Sequence, residues 1–179
     1  MGFRISWITI QTDSPSKFLE EVGFVESDQM DEANEAPFSW AALPNNWYVL
    51  FSNDFDFVFN TDLEKSSLLG NIVACVVHEG AMISVAFGYK NGELIWQVGH
   101  NSQEGLLHLD SWGSLPEGFE QLRAHYLRMQ ESEGDSADVD FVFEVPVELA
   151  RLVSGYRHDQ WKFDWGSPSF KVLIAAAND

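Results

Sequence analysis

Cysteine is nearly missing from this chain: Cys75 is the only one among 179 residues. That excludes an internal disulfide and a thiolate-rich zinc site, and it fits a reducing compartment. Because Cys75 lies in the apolar run 72–77, it reads as a buried small hydrophobe. Bases are scarce too. Ten Lys and Arg stand against 28 Asp and Glu, a formal net charge of -18. Direct contact with nucleic acid or with an anionic membrane is therefore not expected, since both depend on neutralising negative charge with bases. No apolar run approaches the ~18 residues that span a bilayer, and the N-terminus has no continuous hydrophobic segment of a secretory leader. Residues 1–6 fit the loose myristoylation pattern, but Phe3, Ile5 and Trp7 also form one face of a first strand. A cytoplasmic protein is expected.

Catalytic signatures are absent as well. The five histidines, His78, His100, His108, His125 and His158, form no HExxH, HxH or i, i+4 pair. G-x-S-x-G and the glycine-rich phosphate loops do not occur. Asp135, Asp138 and Asp140 lack the mid-loop glycine and terminal glutamate of an EF-hand. No metal and no cofactor are expected.

What the chain does have is ordinary globular composition, 45% hydrophobic and 21% charged, with length for one domain and a substantial core. Its charge is unevenly placed. Between Lys17 and Lys65 lie eleven acids and no base: Glu20, Glu21, Glu26, Asp28, Asp31, Glu32, Glu35, Asp54, Asp56, Asp62 and Glu64. Between Arg128 and Arg151 lie seven more: Glu131, Glu133, Asp135, Asp138, Asp140, Glu144 and Glu148. These eighteen account for the whole excess. Gathered on one flank, they would form a negative face; dispersed in solvated loops, they would only aid solubility.

The pattern along the chain predicts an α+β fold: a single domain, residues 1–179, with a mainly antiparallel sheet and three or four helices packed on it. A strand is expected over 3–10 and a helix over 14–22, stopped by Gly23. Residues 26–37 read as an exposed acidic loop ending in Pro37. Strands follow at 38–43 and 47–51, and the alternation of Phe55, Phe57 and Phe59 with acids predicts another. Thr61 and Glu64 have capping-box spacing ahead of a short helix.

A central three-stranded meander at 71–100 is the most legible part. The Asn91-Gly92 hairpin pairs Lys90 with Glu93, which would set Phe87 opposite Trp96 and Val85 opposite Val98. The run 72–77 is apolar on both faces and should be central. In that register His78 and His100 flank Ile83 about 10 Å apart, too far to share an ion. A short strand at 106–109, a helix from Pro116, a strand over 139–145, a helix from Pro146 to Gly155 and a strand over 170–174 complete the reading.

Three functions are compatible with these residues. The first is a non-catalytic binding module whose acidic face meets a basic protein, as an immunity or inhibitor protein does with a cationic toxin. Its candidate residues are Asp28, Asp31, Glu32, Glu35, Asp54 and Asp56, with Trp40 or Trp47 as apolar anchors. In size and charge alone the profile is similar to small acidic bacterial immunity proteins; no motif assigns a family. The second is a small-ligand binder or hydrolase-type enzyme using His158, Asp159 and Tyr156, with His78 or His100, where Asp159 would orient His158 as a base. Helix capping by Arg157 and His158 explains the same segment structurally. The third is nucleic-acid mimicry, which requires carboxylates spaced like phosphates along a ridge.

Overall fold

The computed structural model describes residues 2–134 and 139–177. Among these, nine strands form one sheet: β1 (Arg4–Gln11), β2 (Phe24–Met30), β3 (Phe38–Ala42), β4 (Trp47–Ser52), β5 (Asn71–His78), β6 (Ile83–Lys90), β7 (Glu93–Asn101), β8 (Asp110–Gly113) and β9 (Lys171–Ala175). Their order is β2-β9-β3-β4-β1-β5-β6-β7-β8 and each pairing is antiparallel. Five helices accompany them: α1 (Pro15–Glu21), α2 (Phe57–Asn60), α3 (Leu63–Ser66), α4 (Phe119–Glu133) and α5 (Glu144–Ser154). The expected α+β class holds, and the meander is three strands of a much longer sheet.

Alternation along the central strands divides the core in two. Ile5, Trp7, Val49, Phe51, Val73, Cys75 and Val77 point to one face, where α4 and α5 bring Phe119, Val145 and Leu149. Ile8, Ile10, Leu50, Ile72, Ala74 and Val76 point to the other, where α1, α2 and α3 bring Phe18, Val58 and Leu63. Because both faces are covered, β5 is apolar and buried from Ile72 to Val77, as its composition predicts.

Several expectations are corrected. The loop expected over 26–37 begins only after Met30: residues 26–30 belong to β2, which pairs with β9, and the acids of this stretch suit an exposed edge strand. Phe55, Phe57 and Phe59 do not lie on a strand. The Asp54 carboxylate accepts the Asp56 N–H at 3.0 Å, and the chain turns into α2. Phe57 then packs on Phe24 and Phe38. The cap of α3 is Asp62, which accepts the Lys65 N–H at 3.0 Å, rather than Thr61. The strand expected at 106–109 forms instead at β8. Residues 139–145 are not a strand: the Gln130 side chain accepts the Phe141 N–H at 2.7 Å and donates to the Val139 carbonyl at 3.2 Å, while Asp140 accepts the Phe143 N–H at 3.2 Å. Side chains take the groups a ladder would have used, and α5 begins directly.

The meander register also differs. Lys90 faces Glu93 and Tyr89 faces Leu94, but a bulge then sets Gly88 opposite Trp96, Phe87 opposite Gln97 and Ala86 opposite Val98. Trp96 lies over the bare Gly88, where a Cβ would meet the indole Nε1 at 2.0 Å. The slip sends Trp96, Val98 and His100 to the α5 side, away from Phe87. His100 therefore faces Ser84, while His78 faces Ile83, and the two imidazoles lie on opposite sides of the sheet.

Candidate functional site

At its C-terminus α5 turns at Gly155, whose φ of 80° suits a residue without a side chain. Beyond it, side chains alternate inward and outward. Tyr156 is buried beside Trp7, Phe163 and Phe170, and Arg157 returns over α5. Its guanidinium donates to Glu144 Oε2 at 2.9 Å, to Glu148 Oε1, and to Asp159 Oδ1 and Oδ2 at 2.5 and 2.7 Å. Arg151 holds the second Glu148 oxygen at 2.7 Å. Burial lowers the Arg157 pKa, but the Asp159 hydrogen bonds and the surrounding carboxylates outweigh that effect, and the net shift is upward. Burial likewise acts to raise Asp159, yet the Arg157 bonds dominate and hold it below the ordinary carboxylate range. The Asp159 carboxylate is thus engaged by Arg157 and does not orient His158.

His158 points inward with its side chain only 2% exposed. Phe3 meets its ring edge-on at 4.9 Å and Trp7 lies alongside at 5.3 Å. Among the described residues neither imidazole nitrogen has a hydrogen-bond partner, and neither does the adjacent Trp7 Nε1. The Glu79 carboxylate stands 3.8 Å from Nε2, outside hydrogen-bond range. Burial lowers the His158 pKa; Asp159 and Glu79 oppose this only in part. The ring is therefore neutral near pH 7 and, being neutral, gives no favourable interaction with the helix dipole.

His158 and Tyr156 line a cleft of about 230 Å³ together with Glu32, Asn34, Trp161 and Phe170. Trp161, with no core role evident from its sequence position, is 65% exposed. The opposite wall is the loop after β2, which is firmly built. Asp31 is buried and accepts the N–H groups of Glu35 at 2.9 Å and Ala36 at 3.3 Å, while its own N–H donates to the Phe170 carbonyl. Asn53 ties down the carbonyls of Asn34 and Ala36. Glu32 and Glu35 are left exposed on this frame, with Asp28 on the adjoining strand.

The other candidates are elsewhere. Trp40 and Trp47 are 4% and 8% exposed, core residues rather than surface anchors. Asp31 is likewise a loop-building residue. Asp54 and Asp56 are exposed beside α2, with Arg4 3.7 Å from Asp56. His78 accepts the Ala81 N–H and touches Phe55. His100 is consumed: Nδ1 lies 2.6 Å from the His108 carbonyl and Nε2 2.8 Å from Asp140 Oδ2. Both nitrogens face acceptors, so one proton is held between Nε2 and Oδ2, and neither nitrogen is open to a substrate. Nothing in the sequence marked this pair.

The acids of these two intervals that lie among the described residues do not gather on one flank. Those of α1 and α3 and those ahead of α2 lie toward one sheet face, those of α4 and α5 toward the other, and those of β2 and its loop at one edge. In the second interval Asp140, Glu144 and Glu148 are paired internally, and Asp135 and Asp138 lie outside the described residues. In the first, Glu21 pairs with Lys65 and Glu26 with Lys171. Among the described residues no group of three or more His, Cys, Asp or Glu is placed to hold a metal ion, and no helix is long and apolar enough to cross a membrane. No protein-family model, curated protein or solved structure matches the chain.

Proposed function

We propose that this protein is a non-catalytic binding module for a basic protein, of the immunity or inhibitor kind, and that it docks through the edge formed by β2 and loop 31–36 rather than through a whole acidic flank. One observation carries the reading. Along this edge Asp28, Glu32 and Glu35 are exposed without an ion-pair partner among the described residues, beside exposed Met30 and, across the cleft, Trp161. Apolar anchors rimmed by unpaired charge of one sign are what a charge-complementary interface uses. Elsewhere many of the acids already have internal partners. With its single cysteine buried, the chain suits the cytoplasm, with no direct role for nucleic acid or membrane.

The test compares three proteins as bait in native lysate at low and high salt: wild type, D28K/E35K, and E20K/E64K as a control of equal charge change on the α1 and α3 face. A basic partner held by wild type and control, released by salt and lost by D28K/E35K, supports the reading. Equal retention by all three contradicts it.

A further inference from the structure

We infer that the cavity between the end of α5 and the adjoining ends of β5, β6 and β7 binds a small organic carboxylate with an apolar body. This goes beyond the docking reading and does not rest on it, since β6 lies far along the sheet from β2. The cavity measures about 420 Å³, within the ~300–1,000 Å³ usual for small-molecule sites. Strand register builds its floor: Gln11 faces Asn71, Val73 faces Gly88, and Gly88 faces Trp96. Trp47, Val73 and Trp96 belong to the core on the α5 side, and Ile95 and Val153 complete the apolar wall.

Three donors are set into this wall. Trp96 is 6% exposed, and its Nε1 donates no hydrogen bond among the described residues. Unlike Trp7 Nε1 it is not sealed from solvent. Its pyrrole edge lies on Gly88, which lines the cavity, so the N–H opens there. A buried donor left without a partner calls for an acceptor. Asn71 gives one amide N–H to Gln11 Oε1 at 3.3 Å and keeps the other. Lys90 lies on the same strand face as Gly88, opposite the exposed Glu93, and forms no ion pair among the described residues.

Charge identifies the occupant. In a chain of 28 acids and ten bases, clefts elsewhere have carboxylates in their walls: Glu26 beside α1, Glu35 in loop 31–36, Glu32 near His158 and Asp62 ahead of α3. This cavity has none, and Lys90 is the only charged residue lining it. A cation would meet an ammonium and no counter-charge. A carboxylate accepts from the ammonium and from both N–H groups, while an apolar body covers Val73, Ile95 and Val153. Acetate or inorganic phosphate brings the charge and leaves that wall wet.

The experiment titrates the intact protein with 3-phenylpropanoate, with its neutral amide, and with acetate, and follows the Trp96 indole N–H and the Ile95 and Val153 methyl signals by NMR. Saturable shifts are expected with 3-phenylpropanoate, with affinity about tenfold weaker for the amide and for acetate. K90Q, a change at an exposed side chain, should weaken the acid severalfold and leave the amide unchanged. W96F removes the indole donor and should weaken both; should it fail to fold, K90Q decides alone. Equal affinity for acid and amide, acetate as tight as the acid, no saturable shift of these signals, or acid binding unchanged in K90Q would overturn the assignment. D28K/E35K should bind 3-phenylpropanoate as wild type does, so loss of the docking reading leaves this one standing.

Discussion

Replacing His158 with phenylalanine keeps a ring between Phe3 and Trp7 while deleting two buried nitrogens that have no partner. Stability near neutral pH should rise by about 1 kcal/mol, the reverse of most core substitutions. The pH dependence follows from the direction of the His158 shift. Its folded pKa lies below the 6.5 of a free imidazole, so as pH falls the unfolded chain binds the proton first. Stability contributed by the neutral ring is complete above that value and is lost on acidification until the folded imidazole is protonated too. The H158F advantage in urea unfolding should therefore widen between about pH 7.5 and about pH 5.5; a constant difference would contradict it. His100, by contrast, has both ring nitrogens partnered. D140A strands its buried Nε2 and the Phe143 N–H and should cost about 3–5 kcal/mol. D140N, whose amide can both donate to Nε2 and accept from Phe143, should cost clearly less by the same measurement.

Gly88 illustrates what decides the elements. The Asn91-Gly92 turn and the Lys90–Glu93 pair were readable because they depend on neighbouring residues, but the bulge beyond them was not. It depends on Trp96 finding room over Gly88, a fact of packing between strands. G88A should destabilise by about 1–3 kcal/mol through overpacking, and a double-mutant cycle with W96L should recover most of that; additive effects would refute the explanation. The same logic separates the elements that were legible from those that were not. Strands β1 and β5 and helices α1 and α5 carry local signals, periodicity together with Pro and Gly stops. The departures at 26–30, 55–59 and 139–145 were decided by distant or side-chain partners: β9, the Asp54 carboxylate, and Gln130 with Asp140. The cleft was half legible. Tyr156 and His158 stood together in the sequence, but their meeting with Glu32 and Trp161 depends on the contact of loop 31–36 with Phe170.

At the scale of the whole molecule, a net charge of -18 proves less useful than its distribution. A sheet covered on both faces separates acids that are close in sequence, and Arg157, Arg151, Lys65 and Lys171 neutralise several of the rest. Under the proposed docking, long-range attraction of a basic partner would need only the total charge, and orientation would need the edge at β2. The most direct measurement is therefore the association rate of the captured partner with wild type and with D28K/E35K across a range of salt. Docking through this edge predicts a wild-type rate that falls steeply with ionic strength, and a rate for D28K/E35K that is about tenfold lower at low salt and converges on wild type at high salt. Equal rates for the two proteins at low salt would contradict it.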